Sequence, residues 1–265
     1  TINGQKVLVP TIYYAYNPQN DQHNPTTKDN RSTIQAGNSL TINTGNNIIN
    51  SGNIKAGNSL IIKADNNIIN RGGNINTTEE NSILALIAGN TITNESLTNT
   101  LEYSSDDNNG IKFQELITKG NIMSKGSLIL NANNDINIIG SILNSKDDTI
   151  IQSENGNINI VTEQIHNKIE SKQGENHYFK DESIKNVSSD ISSNGNISII
   201  TKGNNKDINI VGSNINSKQD TTLQTENGSI NIITAQDYNY RESYHKYESS
   251  FSQSETRDIK EKVKN

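Results

Sequence analysis

Paired acids and scattered histidines are the side chains of this sequence whose types could do chemistry. Asp147 and Asp148 stand side by side. Adjacent carboxylates could divide acid and base roles or hold a divalent cation. A later copy of the same segment reads Gln219 and Asp220, so only one acid recurs, which favours a solvated Asx corner. Asp106 and Asp107 lead into Asn108, Asn109 and Gly110, where an ordinary turn is favoured over a weak calcium loop. His166, His177 and His245 have no serine or acid at a triad spacing and are read as surface residues. The segments GENH (Gly174 to His177) and GNNKD (Gly203 to Asp207) lack the Lys-Ser/Thr that follows a phosphate-binding turn. Arg71 with Gly72 and Gly73 reads as a chain corner. No catalytic residue, no metal ligand and no cofactor-binding residue is therefore assigned.

The elements that would have to position such residues have an unusual composition. Only 30% of the 265 residues are hydrophobic and the mean hydropathy is −0.72, which argues against ordinary globular packing. Disordered chains are rich in Pro, Glu and Ser, whereas this one holds three Pro and is rich in Asn and Ile. Isoleucine fits a pleated surface and Asn tolerates tight turns; many short strands are expected. The net charge of −6, with both signs interspersed, leaves no basic stripe for a phosphate backbone, so nucleic acid is not expected as a partner. There are no cysteines, hence no disulfides. The chain starts at Thr1 without a signal-peptide pattern and is expected to be an internal segment of a larger protein.

Internal repeats decide the architecture. AGNSLTINTGNNIIN from Ala36 returns as AGNSLIIKADNNIIN from Ala56, a period of 20 residues, which indicates a solenoid. The longer DINIIGSILNSKDDTIIQSENGNINIVT from Asp135 returns, mostly identical, as DINIVGSNINSKQDTTLQTENGSINIIT from Asp207. Apolar and polar residues alternate, as at Ile136/Ile138 and Ile230/Ile232, the mark of a strand with one buried face. Nothing has the helical spacing of leucine-rich repeats. The fold expected is all-β: a right-handed parallel β-helix of seven to nine coils over about 34–235, with strand or hairpin excursions. Ile42, Ile62, Leu128, Ile138, Ile160, Ile210 and Ile232 are expected to face inward. Gly37, Gly57, Gly89, Gly126, Gly156, Gly195 and Gly228, each just before a strand, suit corners with positive φ. Pro10, Pro18 and Pro25 all precede the first clear coil.

Three parts are expected: a capping lead-in at 1–34, the β-helix at 35–235, and an aromatic extension at 236–265. The helix is interrupted at 97–119 and 163–193. The excursions and the first 35 residues hold every Phe, Tyr and His of the chain. The second interruption and the extension follow equivalent blocks and are expected to be equivalent, projecting as paired strands; spacing of Tyr240, Tyr244 and Tyr247 leaves a helix as the competitor. Their aromatics, Tyr178, Phe179, Tyr238, Tyr240, Tyr244, Tyr247 and Phe251, either cover the side of the helix or meet a membrane or protein partner.

With KVLVPTIYYA (Lys6 to Ala15), the AGNSL and NNIIN pairs, LIAGNTITN (Leu86 to Asn94) and the DINI(I/V)GS blocks in view, the sequence resembles the filamentous-haemagglutinin-type repeats of two-partner secretion exoproteins. Their order is similar to the second, more C-terminal repeat region of contact-dependent growth inhibition proteins. The resemblance implies a secreted, surface-borne segment that uses an outer-membrane transporter during export of the full-length protein. It implies that this segment then associates with the target-cell outer membrane, or a surface protein there, and helps pass a C-terminal toxin inward. An adhesin stalk is the alternative. A carbohydrate-active β-helix is a lesser one, since polysaccharide lyases of this fold cluster acids and a basic residue on one lateral face, and the acids here do not converge.

Overall fold

The structure is a computed structural model that describes residues 31–106, 109–248 and 252–264. Most of the expected lead-in at 1–34, with its three prolines, lies outside the described residues. The first strand of the solenoid, Thr33–Ala36, begins within the stretch expected to cap it.

Every described element is a strand. Three seven-stranded parallel sheets form the faces of a right-handed parallel β-helix of seven coils. The first face runs from Thr33–Ala36 to Asn214–Ser217, the second from Ser39–Thr44 to Thr221–Thr225, the third from Ile48–Asn50 to Ile230–Ile233. Like stacks on like: Leu40 on Leu60, Leu60 on Leu84 and Ile136 on Ile158. The sequence period is therefore the stacking register, with neighbouring coils about 4.8 Å apart. Ile62, Leu128, Ile138 and Ile160 are fully buried and Ile210 nearly so. A fully buried side chain of this size contributes roughly 2 kcal/mol.

Two of the expected inward residues depart from this. Ile42 is half-buried and Ile232 is 72% exposed, although Ile232 keeps register with buried Ile210. They sit in the first and last coils, where no described coil covers the apolar column from outside. Alternation fixes which face a side chain takes; burial needs a neighbouring coil as well.

The seven glycines expected at positive φ do not adopt it. Positive φ falls instead at Gly72, Gly140, Gly174 and Gly212. A Cβ on Gly57 would fall on the carbonyl oxygen of Gly37, on Gly89 on that of Asp65, on Gly126 on that of Ser82 and on Gly228 on that of Lys206. These glycines are needed because successive corners stack backbone on backbone, with no room for a side chain between them.

One inward column is partly polar. On the third face Asn50, Asn70 and Asn94 occupy the line that continues as Ile138, Ile160, Ile210 and Ile232. Asn50 Nδ2 donates to Asn70 Oδ1 and Asn70 Nδ2 to Asn94 Oδ1, each at 2.8 Å. The same amides donate to corner carbonyls at Gly52, Gly73 and Ile142. Where Asn gives way to Ile, serines take over the corner: Ser141 Oγ donates to the Asn94 carbonyl and Ser189 Oγ to that of Val161, both at 2.7 Å. The corner's buried carbonyls thus keep a donor in both halves of the rod.

Replacing Asn70 by Leu is expected to destabilise the fold by about 2 kcal/mol, because Asn50 Nδ2 and Asn94 Oδ1 lose their partner in a dry column. Denaturant midpoints compared with Ile138→Val, expected to cost about 1 kcal/mol, check this; equal midpoints for Asn70→Leu and wild type would refute the polar ladder.

Candidate functional site: a side sheet built from three hairpins

Leaving the third face, the chain makes a tight turn after some coils and a long hairpin after others. The hairpins are Leu97–Asp106 with Asn109–Thr118, Glu163–Gln173 with His177–Val187, and Asp237–Glu248 with Gln253–Lys264. They follow the third, fifth and seventh coils. The second one ends sooner than the interruption expected at 163–193, since Asp190–Ser193 is already a strand of the first face.

After the coils between lie Gly72, Gly140 and Gly212, with φ of +61°, +54° and +52°. A Cβ on Gly72 would meet Leu97 Cβ at 2.5 Å and Thr118 Cγ2 at 2.8 Å; one on Gly140 would meet Glu163 Cβ; one on Gly212 would meet Ala235 Cβ at 2.5 Å. Each tight corner is thus roofed by the base of the next hairpin. Two coils rise by two strand spacings and a hairpin is two strands wide. Hairpins on alternate coils therefore join edge to edge, and all three form one six-stranded antiparallel sheet.

The joints differ in quality. The second and third hairpins pair from His177↔His245 to Ile184↔Tyr238. The first and second pair only from Gly110↔Glu170 to Lys112↔Lys168. Beyond those, side-chain amides replace the ladder: the Gln114 amide donates to Asn167 Oδ1 at 2.7 Å and the His166 amide to Gln114 Oε1 at 3.1 Å. Asn186 fastens the base of the third hairpin, its backbone amide donating to Asp237 Oδ1 at 2.8 Å.

Strand alternation divides the sheet's side chains between two faces. One face is a network of charge and tyrosine. Tyr178 Oη donates to Glu170 at 3.0 Å and Tyr240 Oη to Glu242 at 2.7 Å. Lys180 lies 5.4 Å from the Tyr240 ring centre and 2.7 Å from Glu182, and His166 Nε2 lies 2.8 Å from the other oxygen of Glu182. Arg257 reaches Glu242 at 2.8 Å. Burial, the bond to Glu170 and its charge push the Tyr178 phenol up to about 12. The opposite face carries an apolar patch on the first two hairpins. Leu101 faces Phe113 and Tyr103 faces Ile111 across the first hairpin, and Ile111 faces Ile169 on the second. All five are exposed, Leu101 and Tyr103 by about two thirds (65% and 67%).

The aromatics singled out from the sequence divide between these faces. Tyr178, Tyr238, Tyr240 and Tyr244 share the charged one, where Tyr238 and Tyr240 stack at 6.4 Å; Phe179 and Tyr247 are on the other. Tyr240, Tyr244 and Tyr247 are on a strand, so the competing helix is not formed. Phe251 lies outside the described residues. The only sequence signal of the apolar patch is the alternation in LEY and IKF, which the denser aromatics of the later excursions outweigh.

Of the acids weighed for chemistry, Asp148 is a corner acceptor, and Asp135 and Asp207 act in the same way. Asp148 Oδ1 accepts from the Asn196 amide at 2.7 Å, Asp135 Oδ1 from Asn157 at 2.8 Å and Asp207 Oδ1 from Ser229 at 2.7 Å, each joining one coil to the next. Asp106 and Asp107 fall where side chains are not described. Among the described residues no group of three or more His, Asp or Glu converges as a metal site would need. His177 and His245 do come together, 3.1 Å apart at Nδ1.

Two pH effects of opposite sign follow. The bond from Lys168 holds Glu170 below the usual carboxylate range, against burial, and that from Lys180 does the same for Glu182 with help from His166. Their contribution is present at neutral pH and lost as pH falls through the lowered values. Burial, with Glu95 nearby, pushes Glu163 up, so its ionised form opposes folding at neutral pH and that penalty fades on acidification. Glu163→Gln is therefore expected to raise stability at pH 7 by well under about 1 kcal/mol, the group being partly solvated, and to make no difference once Glu163 is protonated. Urea midpoints across pH test this; a fall at pH 7 would contradict it.

Nearly the whole chain matches the hemagglutinin repeat model, over residues 14–175 and 170–262. No curated protein and no solved structure matches the chain. The two matched stretches between them take in all seven coils and nearly all of the three-hairpin sheet, and with them the chain belongs to the hemagglutinin repeat family, of the filamentous-haemagglutinin type.

Proposed function

We propose that this rod associates with the outer membrane of a target cell through its side sheet, as part of a contact-dependent growth inhibition exoprotein that passes a C-terminal toxin inward. The observation that carries the reading is the patch of Leu101, Tyr103, Ile111, Phe113 and Ile169. These residues are exposed together on one sheet face, and contiguous exposed apolar surface marks interaction sites. Tyr103, set within that patch, suits a membrane interface, where one end of the ring is dry and the other wet.

Among the described residues no helix is long and apolar enough to cross a membrane. The hairpin strands have 10 to 12 residues, a length sufficient for barrel strands. Their charged face, with Lys168, Glu170, Lys180 and Glu182 paired across it, opposes insertion of the sheet as it stands. Surface association is the form proposed, with residence on the producing cell after export through an outer-membrane transporter. The tyrosine-and-charge face favours a second reading, an adhesin stalk that meets a polar protein surface with Tyr178, Tyr240 and Tyr244. A lyase reading is not favoured: Asp148, Asp135 and Asp207 each accept a hydrogen bond from a neighbouring coil.

Replacing Leu101, Ile111 and Phe113 together by Ser is expected to lower association with purified outer membranes at least tenfold, with thermal stability little changed because these side chains are already exposed. A parallel variant carries Ser at Tyr178, Phe179, Tyr240 and Tyr244. Loss of binding in the second variant alone would sink the apolar-patch reading and favour the adhesin; loss in neither would remove the side sheet as the contact surface.

A further inference from the structure

His177 begins the return strand of the second hairpin, just after the turn at Gly174 to Asn176, and His245 lies near the far end of the first strand of the third. They are direct cross-strand partners. The Lys246 amide donates to the Asn176 carbonyl at 2.8 Å, which makes the neighbouring His pair a non-hydrogen-bonded one, the arrangement that brings side chains closest. Their ring centres are 5.4 Å apart and the Nδ1 atoms 3.1 Å apart. The ring of Tyr247 stands edge-on to His177 at 5.3 Å, which limits its rotation. Gln173 and Thr256 extend the same row on either side, so oxygen donors flank the pair.

We propose that His177 and His245 form a two-imidazole site for a divalent transition metal, Cu2+ ahead of Ni2+ and Zn2+, which fastens the third hairpin to the second. The spacing carries the argument. With metal–nitrogen bonds of about 2.0–2.1 Å, two nitrogens on one ion are about 2.9 Å apart at a right angle and about 3.3 Å at the tetrahedral angle. The observed 3.1 Å lies between. Without metal, one Nδ1 donates to the other. With both rings in the Nε2–H tautomer, both Nδ1 lone pairs turn to the ion, and the exposed edge leaves its other positions to water. Copper stands above nickel and zinc because that is the order of affinity for nitrogen sites. The backbone of the third hairpin joins the rod only after the last coil, and the Asn186–Asp237 bonds fasten its base, so a clamp near the tip closes the end of the joint farthest from the rod.

The test uses the full, untagged chain at pH 7.5 titrated with CuSO4. One Cu2+ is expected to bind with an electron paramagnetic resonance spectrum of two imidazole nitrogens. His177→Asn and His245→Asn should each weaken binding at least tenfold, while His166→Gln and His23→Gln leave it unchanged. Cu2+ should also slow amide exchange along Asp237–Glu248 in the wild type and not in His245→Asn. A one-nitrogen spectrum, or equal affinity in wild type and the His177→Asn, His245→Asn double variant, overturns the proposal.

Discussion

The rest of the molecule depends on parallel stacking at one fixed spacing. Each position lies about 4.8 Å from its counterpart in the next coil, so whatever a residue needs must be supplied by a near-copy of itself. Isoleucine meets that demand inside by packing on isoleucine. Asparagine meets it at the corners and outside, where Asn137, Asn159, Asn209 and Asn231 form one ladder with donor–acceptor distances of 2.8 or 2.9 Å. Glycine meets it where two backbones touch. The same demand explains why a chain so low in hydrophobic residues folds: the coil's cross-section is small, but every inward side chain between the ends is covered from both directions.

The side sheet follows from the same spacing. A hairpin after every coil would be twice too wide for its place, and one after every third coil would leave gaps. Alternate coils are the frequency at which strand width and coil rise agree, and the glycines at Gly72, Gly140 and Gly212 mark the coils that must stay bare. The excursions are thus a second stacked structure, antiparallel where the rod is parallel, sharing its repeat without its core. Large side chains that the narrow core cannot hold find room there.

Much of the rod was legible in the sequence, because the 20-residue repeat and the alternation of Ile with polar residues each encode a direct stacking contact. What escaped reading involved relations between distant segments. The glycines at 57, 89, 126 and 228 read as corners with positive φ, since sequence records the residue type but not the carbonyl of the preceding coil beneath it. Asn50 and Asn70 were visible in NNIIN at an inward position, yet an amide there makes sense only when two others line up with it. Ile232 has the alternation of a core residue and lacks only its neighbour. In the side sheet the second excursion and the C-terminal extension were expected as equivalent paired strands, whereas the joining of all three hairpins, the apolar patch and the meeting of His177 with His245 depend on which strands become neighbours. No local pattern states that.

The weakest backbone joint and the largest exposed apolar patch of the sheet occur in the same place. Between the second and third hairpins the ladder is continuous, and a charge network crosses it through Lys180, Glu182, Tyr240, Glu242 and Arg257. Between the first and second, backbone pairing stops after Lys112↔Lys168, and Gln114 and Asn167 fill in with side-chain bonds. Those bonds exchange with water more readily than a buried ladder, so the first hairpin separates from the sheet at lower cost than the others. Leu101, Tyr103, Ile111 and Phe113 all ride on it. An apolar surface on a firmly held strand can only meet what fits it; on the most loosely held hairpin it can adjust to a soft, irregular surface while the rod behind it stays rigid.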